Sequence, residues 1–322
     1  MRCVGIESSA HTIGVGVVDG RRIIANERST FKPKYSGIHP RKAAEFLSKE
    51  FEPVFKKALK RSGLKLKDAE LVAFTMGPGL GACLKIGLVG AKMLAQMLEI
   101  PIIGVNHAVA HIEVSKSLCG CRNPLVVYVS GGNTQIIILE ERRYRVLGET
   151  LDIGLGNLID SVGRSMGLKY AHGSVVEKLA RRGKYIPLPY SVKGMDLVFT
   201  GLLTEAERCL KKYRKEDVCY SVQETAFSML VEATERALAL TKKKEVMLCG
   251  GVAQNRRLQE MMREMVKPHG AKFFVAEDEF NADNGAMIAL TANLMYKAGV
   301  RMKLSECRAV QKMRVDEVEV RW

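Results

Sequence analysis

Leu125-Val126-Val127-Tyr128-Val129-Ser130-Gly131-Gly132-Asn133-Thr134-Gln135-Ile136-Ile137-Ile138-Leu139 consists of two apolar, β-branched runs joined by four small polar residues. Runs of this length and composition read as strands, and a tight polar turn between them makes a hairpin. The pattern occurs twice. Arg2 to Glu7 is a strand, Ser8-Ser9-Ala10-His11 is the turn, and Thr12 to Val18 is a second strand with alternating glycines. Asp19-Gly20 signals another hairpin turn, and Arg21 to Thr30 reads as a third strand.

A second kind of unit also recurs. Glu70 to Thr75 is an apolar strand that runs into Met76-Gly77-Pro78-Gly79-Leu80-Gly81 and a buried helix from Ala82 to Leu98. Glu245 to Cys249 runs into Gly250-Gly251 and a helix from about Gln254. Two halves, each a hairpin followed by a strand–glycine–helix unit, imply a duplicated α/β architecture. The turns of both halves then face one cleft, suited to a nucleotide. Cys119 to Pro124 reads as the linker, giving subdomains 1–122 and 123–322. The last roughly 25 residues, strand-like and charged from Val310 to Trp322, are expected to pack back on the first.

Ahead of the second hairpin, Pro101 to Val105 reads as a strand leading to Asn106-His107-Ala108-Val109-Ala110-His111. Asn106 is a natural N-cap, and histidines four apart share one helix face. Such a pair fits a metal, or is two polar residues at a helix start. The residue after His107 is Ala108, so the H-E-x-x-H arrangement of zinc peptidases is absent. On the residues alone Tyr128 reads as core and Asp283 as a helix cap. The Ser130 to Asn133 turn offers uncovered backbone N–H groups to an anion. Gly77 to Gly81 lacks the Gly-Lys-Ser/Thr of a phosphate loop and is suited to close approach by a phosphate or partner. Asn255, after Gly250-Gly251, reads as exposed and able to contact a ribose or base. Asp160 and Arg164 are four apart on one helix, and a basic helix from Val175 to Arg182 carries Glu177. A long helix spans Asp217 to Leu240, and an apolar one spans Ala286 to Tyr296.

Composition narrows the partners. Fifty Lys and Arg against 35 Asp and Glu give a net charge of +15, which suits a polyanion, nucleic acid first, or a strongly solvated surface. The basic residues recur as doublets, among them Arg181-Arg182 and Lys211-Lys212, so any basic face must be assembled by folding. Of eight cysteines only Cys119 and Cys121 are close, and no second pair follows at zinc-finger spacing. No apolar run reaches the ~18 residues of a membrane span and no leader is legible, so a cytoplasmic protein without a membrane partner is expected.

Eight motifs, in order along the chain, resemble one family. They are G-I-E-S-S-A-H-T at 5–12, G-P-G-L-G at 77–81, N-H-x-x-A-H at 106–111 and Y-V-S-G-G-N-T-Q at 128–135. They continue with G-E-T-L-D-I-G at 148–154, K-G-M-D-L at 193–197, G-G-V-A-x-N at 250–255 and D-N-G-A-M at 283–287. The family is that of the tRNA threonylcarbamoyladenosine synthesis proteins, formerly described as O-sialoglycoprotein endopeptidases. The A-H-T and K-G-M-D-L forms resemble its archaeal and eukaryotic branch, the catalytic subunit of the KEOPS complex. The resemblance implies the duplicated actin/sugar-kinase/Hsp70-like fold. It implies transfer of a threonylcarbamoyl group from threonylcarbamoyl-AMP to N6 of the adenosine beside the anticodon, in tRNAs reading codons that begin with A. It further implies one metal ion, iron first with zinc or another divalent ion as alternatives, held by His107, His111, Tyr128 and Asp283. The adenylate would be met by Tyr128, Val129, Ser130, Gly131, Gly132, Asp160, Gly173, Glu177 and Asn255. The implied partners are tRNA, a kinase-like subunit, a small dimerising subunit, and a separate synthase that supplies the donor. The chain departs from the family at Tyr170-Ala171-His172-Gly173-Ser174, where a Gly-Gly-Pro run is usual, and at Lys85, where arginine is common. A kinase of the same fold and a metallopeptidase are the alternative activities, since fold alone does not fix function.

Overall fold

The two repeats fold into two five-stranded sheets of identical strand order. The computed structural model describes residues 1–33, 37–168 and 173–322. In the first half come β1 (Arg2–Glu7), β2 (Thr12–Asp19), β3 (Arg22–Thr30), α1 (Pro40–Ser62), β4 (Leu71–Gly77), α2 (Gly81–Leu98), β5 (Ile102–Asn106) and α3 (His107–Cys119). The second half opens with β6 (Leu125–Val129), β7 (Thr134–Glu140), β8 (Arg143–Glu149), α4 (Leu155–Ser165) and α5 (Gly173–Ala180). A two-residue hairpin, β9 (Val192–Lys193) and β10 (Asp196–Leu197), precedes α6 (Thr200–Cys209) and α7 (Lys215–Thr241). The chain then forms β11 (Glu245–Cys249), α8 (Arg256–Val266), β12 (Lys272–Val275), α9 (Asp278–Asn281) and α10 (Gly285–Lys297).

The first sheet runs β3-β2-β1-β4-β5 and the second β8-β7-β6-β11-β12. In each, the hairpin strands are antiparallel and the two later strands join parallel to the first. Parallel register places Cys249 beside Tyr128, as it places Phe74 beside Ile6. Three elements, β8, β12 and α6, were not legible in the sequence. β8 buries only part of one face and β12 is a short edge strand, so neither has a long apolar run.

The last helices of the two halves are exchanged. α3 follows the first sheet, yet Ala108, Val109 and Ile112 pack with Val126, Tyr128 and Met247 of the second. α10 follows the second sheet and lies on β1 and β2 of the first. The alternating glycines make that possible: a Cβ on Gly16 would sit 2.1 Å from the Ala286 nitrogen, and one on Gly5 2.3 Å from the Ala289 nitrogen. Ala110 and Val114 of α3 share a core with Met287 and Leu290 of α10. The exchange brings the N-termini of α3 and α10 together between the sheets.

From Val310 to Trp322 the chain forms no strand among the described residues, only a 3₁₀ turn at Val315–Glu317 and an isolated bridge from Glu319 to Arg143. It straps the halves instead. Val310 N–H donates to Met76 O at 2.8 Å and Val320 N–H to Arg142 O at 2.7 Å. In contrast to the expectation that no run is long enough to span a membrane, α2 has the length and composition to do so. One of its faces is buried through Cys83, Leu84, Gly87, Ala91 and Leu94 against the first half.

Candidate metal centre and the turn beside it

Asn106 ends β5 and caps α3: its Oδ1 accepts from Ala108 and Val109 N–H at 2.9 and 3.1 Å. Such a cap contributes about 1 kcal/mol. The same side chain donates through Nδ2 to Arg314 O at 3.1 Å, tying the helix start to the C-terminal strap. His107 and His111 therefore leave the first turns of α3 on one face, buried, with ring centroids 4.8 Å apart.

Asp283 reaches the same point from the start of α10. It is freed to do so because the neighbouring Asn284 takes the cap, accepting from Met287 N–H at 2.9 Å. Asp283 Oδ1 lies 3.5 Å from His107 Nε2 and 3.4 Å from His111 Nε2. Arg28 of β3 donates to the Asp283 carbonyl at 3.4 Å and to that of Glu279 at 2.9 Å, fixing the loop. One ligand atom each from His107, His111 and Asp283 lies within 4.8 Å of the others. Donors on a common ion with bonds of ~2.1 Å lie roughly 3–3.5 Å apart, so the set fits with slight closure. His111 Nδ1 is buried with no hydrogen-bond partner among the described residues. Tyr128, at the end of β6, brings its ring to 5.7 Å from that of His111.

Glu7 completes this cluster, a role that the sequence did not reveal. The carboxylate is wholly buried at the end of β1. It accepts from Ser9 N–H at 2.6 Å and from Thr75 Oγ at 2.6 Å, and its Oε2 lies 3.0 Å from His107 Nδ1. A carboxylate behind Nδ1 holds the proton on that nitrogen, so that when the ring is neutral the lone pair is on Nε2, the nitrogen that faces Asp283. Burial works to lower the His107 pKa, but the charges of Glu7 and Tyr128 and the hydrogen bonds to Asp283 and Glu7 raise it well above 6.5. Burial lowers that of His111, with the His107 charge adding to it. Burial alone would raise the Asp283 pKa; the two imidazoles outweigh it and hold the carboxyl well below 3.8. Burial also raises the Tyr128 pKa, partly offset by His107 and Ser130. Glu7→Gln is expected to weaken divalent-ion binding about 10–100-fold with little change in fold, measured by competition with a chelator. Unchanged affinity would remove Glu7 from the site.

The turn after Tyr128 is closed on itself. Ser130 N–H donates to Asn133 O at 2.8 Å and Asn133 N–H to Ser130 Oγ at 3.0 Å, so those two amides are not open to an anion. Gly131 and Gly132 remain exposed. Behind them α4 docks closely: Gly156 N–H donates to Ser130 O and Asn157 N–H to Gly131 O. A Cβ on Gly154 would lie 2.4 Å from the Gly131 oxygen. Asp160 sits half-buried on α4, where Arg164 donates to Ser161 Oγ at 2.6 Å. Gly173 opens α5 against Ile159 of α4. Glu177 accepts from Arg256 N–H at 3.3 Å, next to Asn255. Gly250 adopts a φ of +95° against Val129 and Tyr128, so this glycine serves close packing. Turn, α4, α5 and the start of α8 are thus linked around the end of β6.

Two expectations are corrected. Asn255 is buried: its side chain caps α8 at Leu258 N–H and donates to Gln223 at 3.0 Å. Gly77 to Gly81 approaches its own chain, since Cβ atoms on Gly79 and Gly77 would lie 2.2 Å from Ser9 O and 1.9 Å from Val310 O. Ala171 and His172, where the sequence departs from the family, lie outside the described residues.

Comparison with known proteins gives a family and a fold. The profile of the family described as tRNA N6-adenosine threonylcarbamoyltransferase matches residues 21–290. A protein of that name from Thermococcus sibiricus is 51% identical over 325 aligned positions, covering all of both chains. A probable bifunctional tRNA threonylcarbamoyladenosine biosynthesis protein of Methanosarcina mazei is 50% identical over 99% of this chain and 59% of its own length. Among solved structures, HypF of T. kodakarensis superposes with a TM-score of 0.63 at 15% identity, over 92% of this chain and 48% of that one. Component A of the (R)-2-hydroxyglutaryl-CoA dehydratase of Acidaminococcus fermentans gives 0.57 at 14% identity, over 91% and 98%. At such identities the likeness shows the fold alone, the duplicated actin/sugar-kinase/Hsp70-like fold.

Proposed function

This chain belongs to the tRNA N6-adenosine threonylcarbamoyltransferase family, and from that premise we propose how its residues carry the transfer. The enzyme is a transferase that modifies tRNA. The donor we assign is threonylcarbamoyl-AMP, a mixed anhydride already activated for acyl transfer. Adenine N6 attacks the carbamoyl carbon, the carbon–oxygen bond to phosphate breaks, AMP departs, and N6 gives up one proton. No covalent enzyme intermediate is needed, so the protein's task is positioning and charge stabilisation.

The observation that carries this reading is the convergence of His107, His111 and Asp283 beside Tyr128 and the Ser130–Asn133 turn. His107, His111, Tyr128 and Asp283 would hold one ion, iron by family resemblance, while the mixed nitrogen and oxygen set also admits zinc. Such an ion supplies Lewis-acid stabilisation of the charge that develops on the donor's oxygens. The exposed amides of Gly131 and Gly132 grip the acyl-adenylate beside it, with Val129 and Ser130 at its back. Asp160, Gly173 and Glu177 flank the nucleotide. Asn255 acts from beneath, by fixing the start of α8.

The partner chains we assign are of the KEOPS type, and one exposed apolar stripe supports that reading. Val89, Met93 and Met97, four apart on α2, are 63%, 48% and 65% exposed and form an apolar stripe suited to a helical partner such as a small dimerising subunit. A kinase-like subunit is the second partner that the family resemblance implies. Reconstitution with tRNA, ATP, threonine, bicarbonate, a donor synthase and these partners, read by nucleoside chromatography, tests the proposal. Threonylcarbamoyladenosine should form only when this chain is present. ATP turnover in its place, independent of tRNA, would favour a kinase.

A further inference from the structure

Two basic doublets far apart in sequence are adjacent in the fold. α5 ends in a turn where Arg182 N–H donates to Leu179 O and Gly183 N–H to Ala180 O. α6 ends in another, where Lys212 and Tyr213 N–H both donate to Cys209 O at 2.9 Å. The turns are clamped together. Arg214 donates to Arg182 O at 3.4 Å, Lys184 N–H to Asp217 Oδ1 at 2.8 Å, and Ile186 N–H to Ser221 Oγ at 2.8 Å. Gly183 is what lets them close, since a Cβ there would lie 2.2 Å from the Glu216 oxygen.

The joint surface is strongly cationic. Residues 181–185 and 211–217 hold seven Lys or Arg and two carboxylates, Glu216 and Asp217. Both carboxylates are engaged, Glu216 with Arg214 at 3.6 Å and Asp217 with the Lys184 amide. Among the described residues no carboxylate lies within ion-pair distance of Arg182, Lys184, Lys211 or Lys212, and all four are exposed. Tyr185 and Tyr213 stand among them, 56% and 49% exposed. Unpaired cations interleaved with open aromatic rings match a polyanion with unstacked bases: phosphates pair with the cations and bases stack on the rings. The surface also flanks the candidate site. α5 spans eight residues, about 12 Å, from Gly173 to this turn, with Glu177 about one turn before its end.

We infer that the joined turns after α5 and α6 are a docking surface for looped or single-stranded RNA, with phosphates on Arg182, Lys184, Lys211 and Lys212 and bases on Tyr185 and Tyr213. Identifying that RNA as the substrate tRNA rests on the transferase reading. A polyanion held there reaches the cleft along α5, so this surface helps present the target nucleotide.

Fluorescence anisotropy of a labelled tRNA transcript, titrated with the full chain alone and with its partners at several salt concentrations, tests this. The Lys211→Glu/Lys212→Glu variant should bind at least tenfold more weakly, with the slope of log K against log salt reduced by about 1.5. Tyr213→Ala should lose about tenfold with the slope unchanged. In both, metal content, melting temperature and turnover at saturating tRNA stay at wild-type values while KM rises. Wild-type affinity and slope in the charge-reversal variant would overturn the inference. So would unchanged tRNA binding with loss of a copurifying partner chain, which would assign the surface to a protein. Wild-type protein that binds tRNA through these residues but forms no modified nucleoside would sink the transferase reading and leave the docking surface standing.

Discussion

His107→Ala is expected to leave a folded protein that holds no metal and modifies no tRNA. The side chain is one of three donors within 4.8 Å of one another, so its loss leaves His111 and Asp283 as the two that remain of that set. The helix itself is secured independently. Asn106 still caps α3, and Ala108, Val109 and Ile112 still anchor it on the second sheet. Glu7 loses one of three hydrogen-bond partners but keeps Thr75 and the Ser9 amide, which limits the stability cost to about 1–3 kcal/mol. Metal analysis should fall from near stoichiometric to background, and product formation should drop at least about a hundredfold. Full modification by the variant would sink the metal assignment.

The same site predicts a pH dependence in the metal-free protein. The folded His107 pKa lies above its unfolded value, so the stability that this imidazolium contributes is fully present below about 6.5 and lost as pH rises through the raised value. Metal binding runs the opposite way. An imidazole must be neutral to bind an ion, so affinity should rise with pH until His107 has given up its proton. Calorimetry in buffers of different ionisation enthalpy reads the released proton directly.

What could be seen in the sequence was local; what could not was assembled over distance. The hairpins and Asn106 as cap were legible because the residues that decide them are neighbours. Glu7 was not, because its partners Thr75 and His107 lie 68 and 100 residues away. A charged residue closing an apolar strand looks like a strand end until those partners are placed. Asp283 stood as a cap in the sequence because Asn284, beside it, competes for that role, and only the hydrogen bond to Met287 settles which of the two takes it. Family resemblance singled out Asp283; its chemistry alone did not. Asn255 misled for the same reason in reverse, since its partner Gln223 comes from α7, 32 residues away. The alternating glycines of β2 were visible, but their purpose was not, because the helix they admit is nearly the whole chain away.

That helix supports the second large effect. Gly16→Ala is expected to lower both stability and metal affinity without altering any metal-binding side chain. The new methyl would meet the Ala286 nitrogen at 2.1 Å and its Cα at 2.4 Å. These are backbone atoms of the first turn of α10 and cannot swing aside as a side chain can. The helix start must lift from β2, at a cost of about 1–3 kcal/mol, as for overpacking in a close-packed core. Asp283 lies two residues before that turn, and its 3.4 and 3.5 Å approaches to His111 and His107 depend on where the turn sits. Divalent-ion affinity should therefore fall together with the melting temperature. Gly201→Ala is the control: it lies near the start of α6, nothing comes within 4 Å of its Cβ, and alanine in a helix should leave stability unchanged or higher by up to about 1 kcal/mol. If Gly16→Ala melts earlier yet binds metal as tightly as wild type, the seat of α10 on the first sheet does not set the position of Asp283. If affinity falls in step, the exchanged helix is what joins the fold of one half to the chemistry of the site.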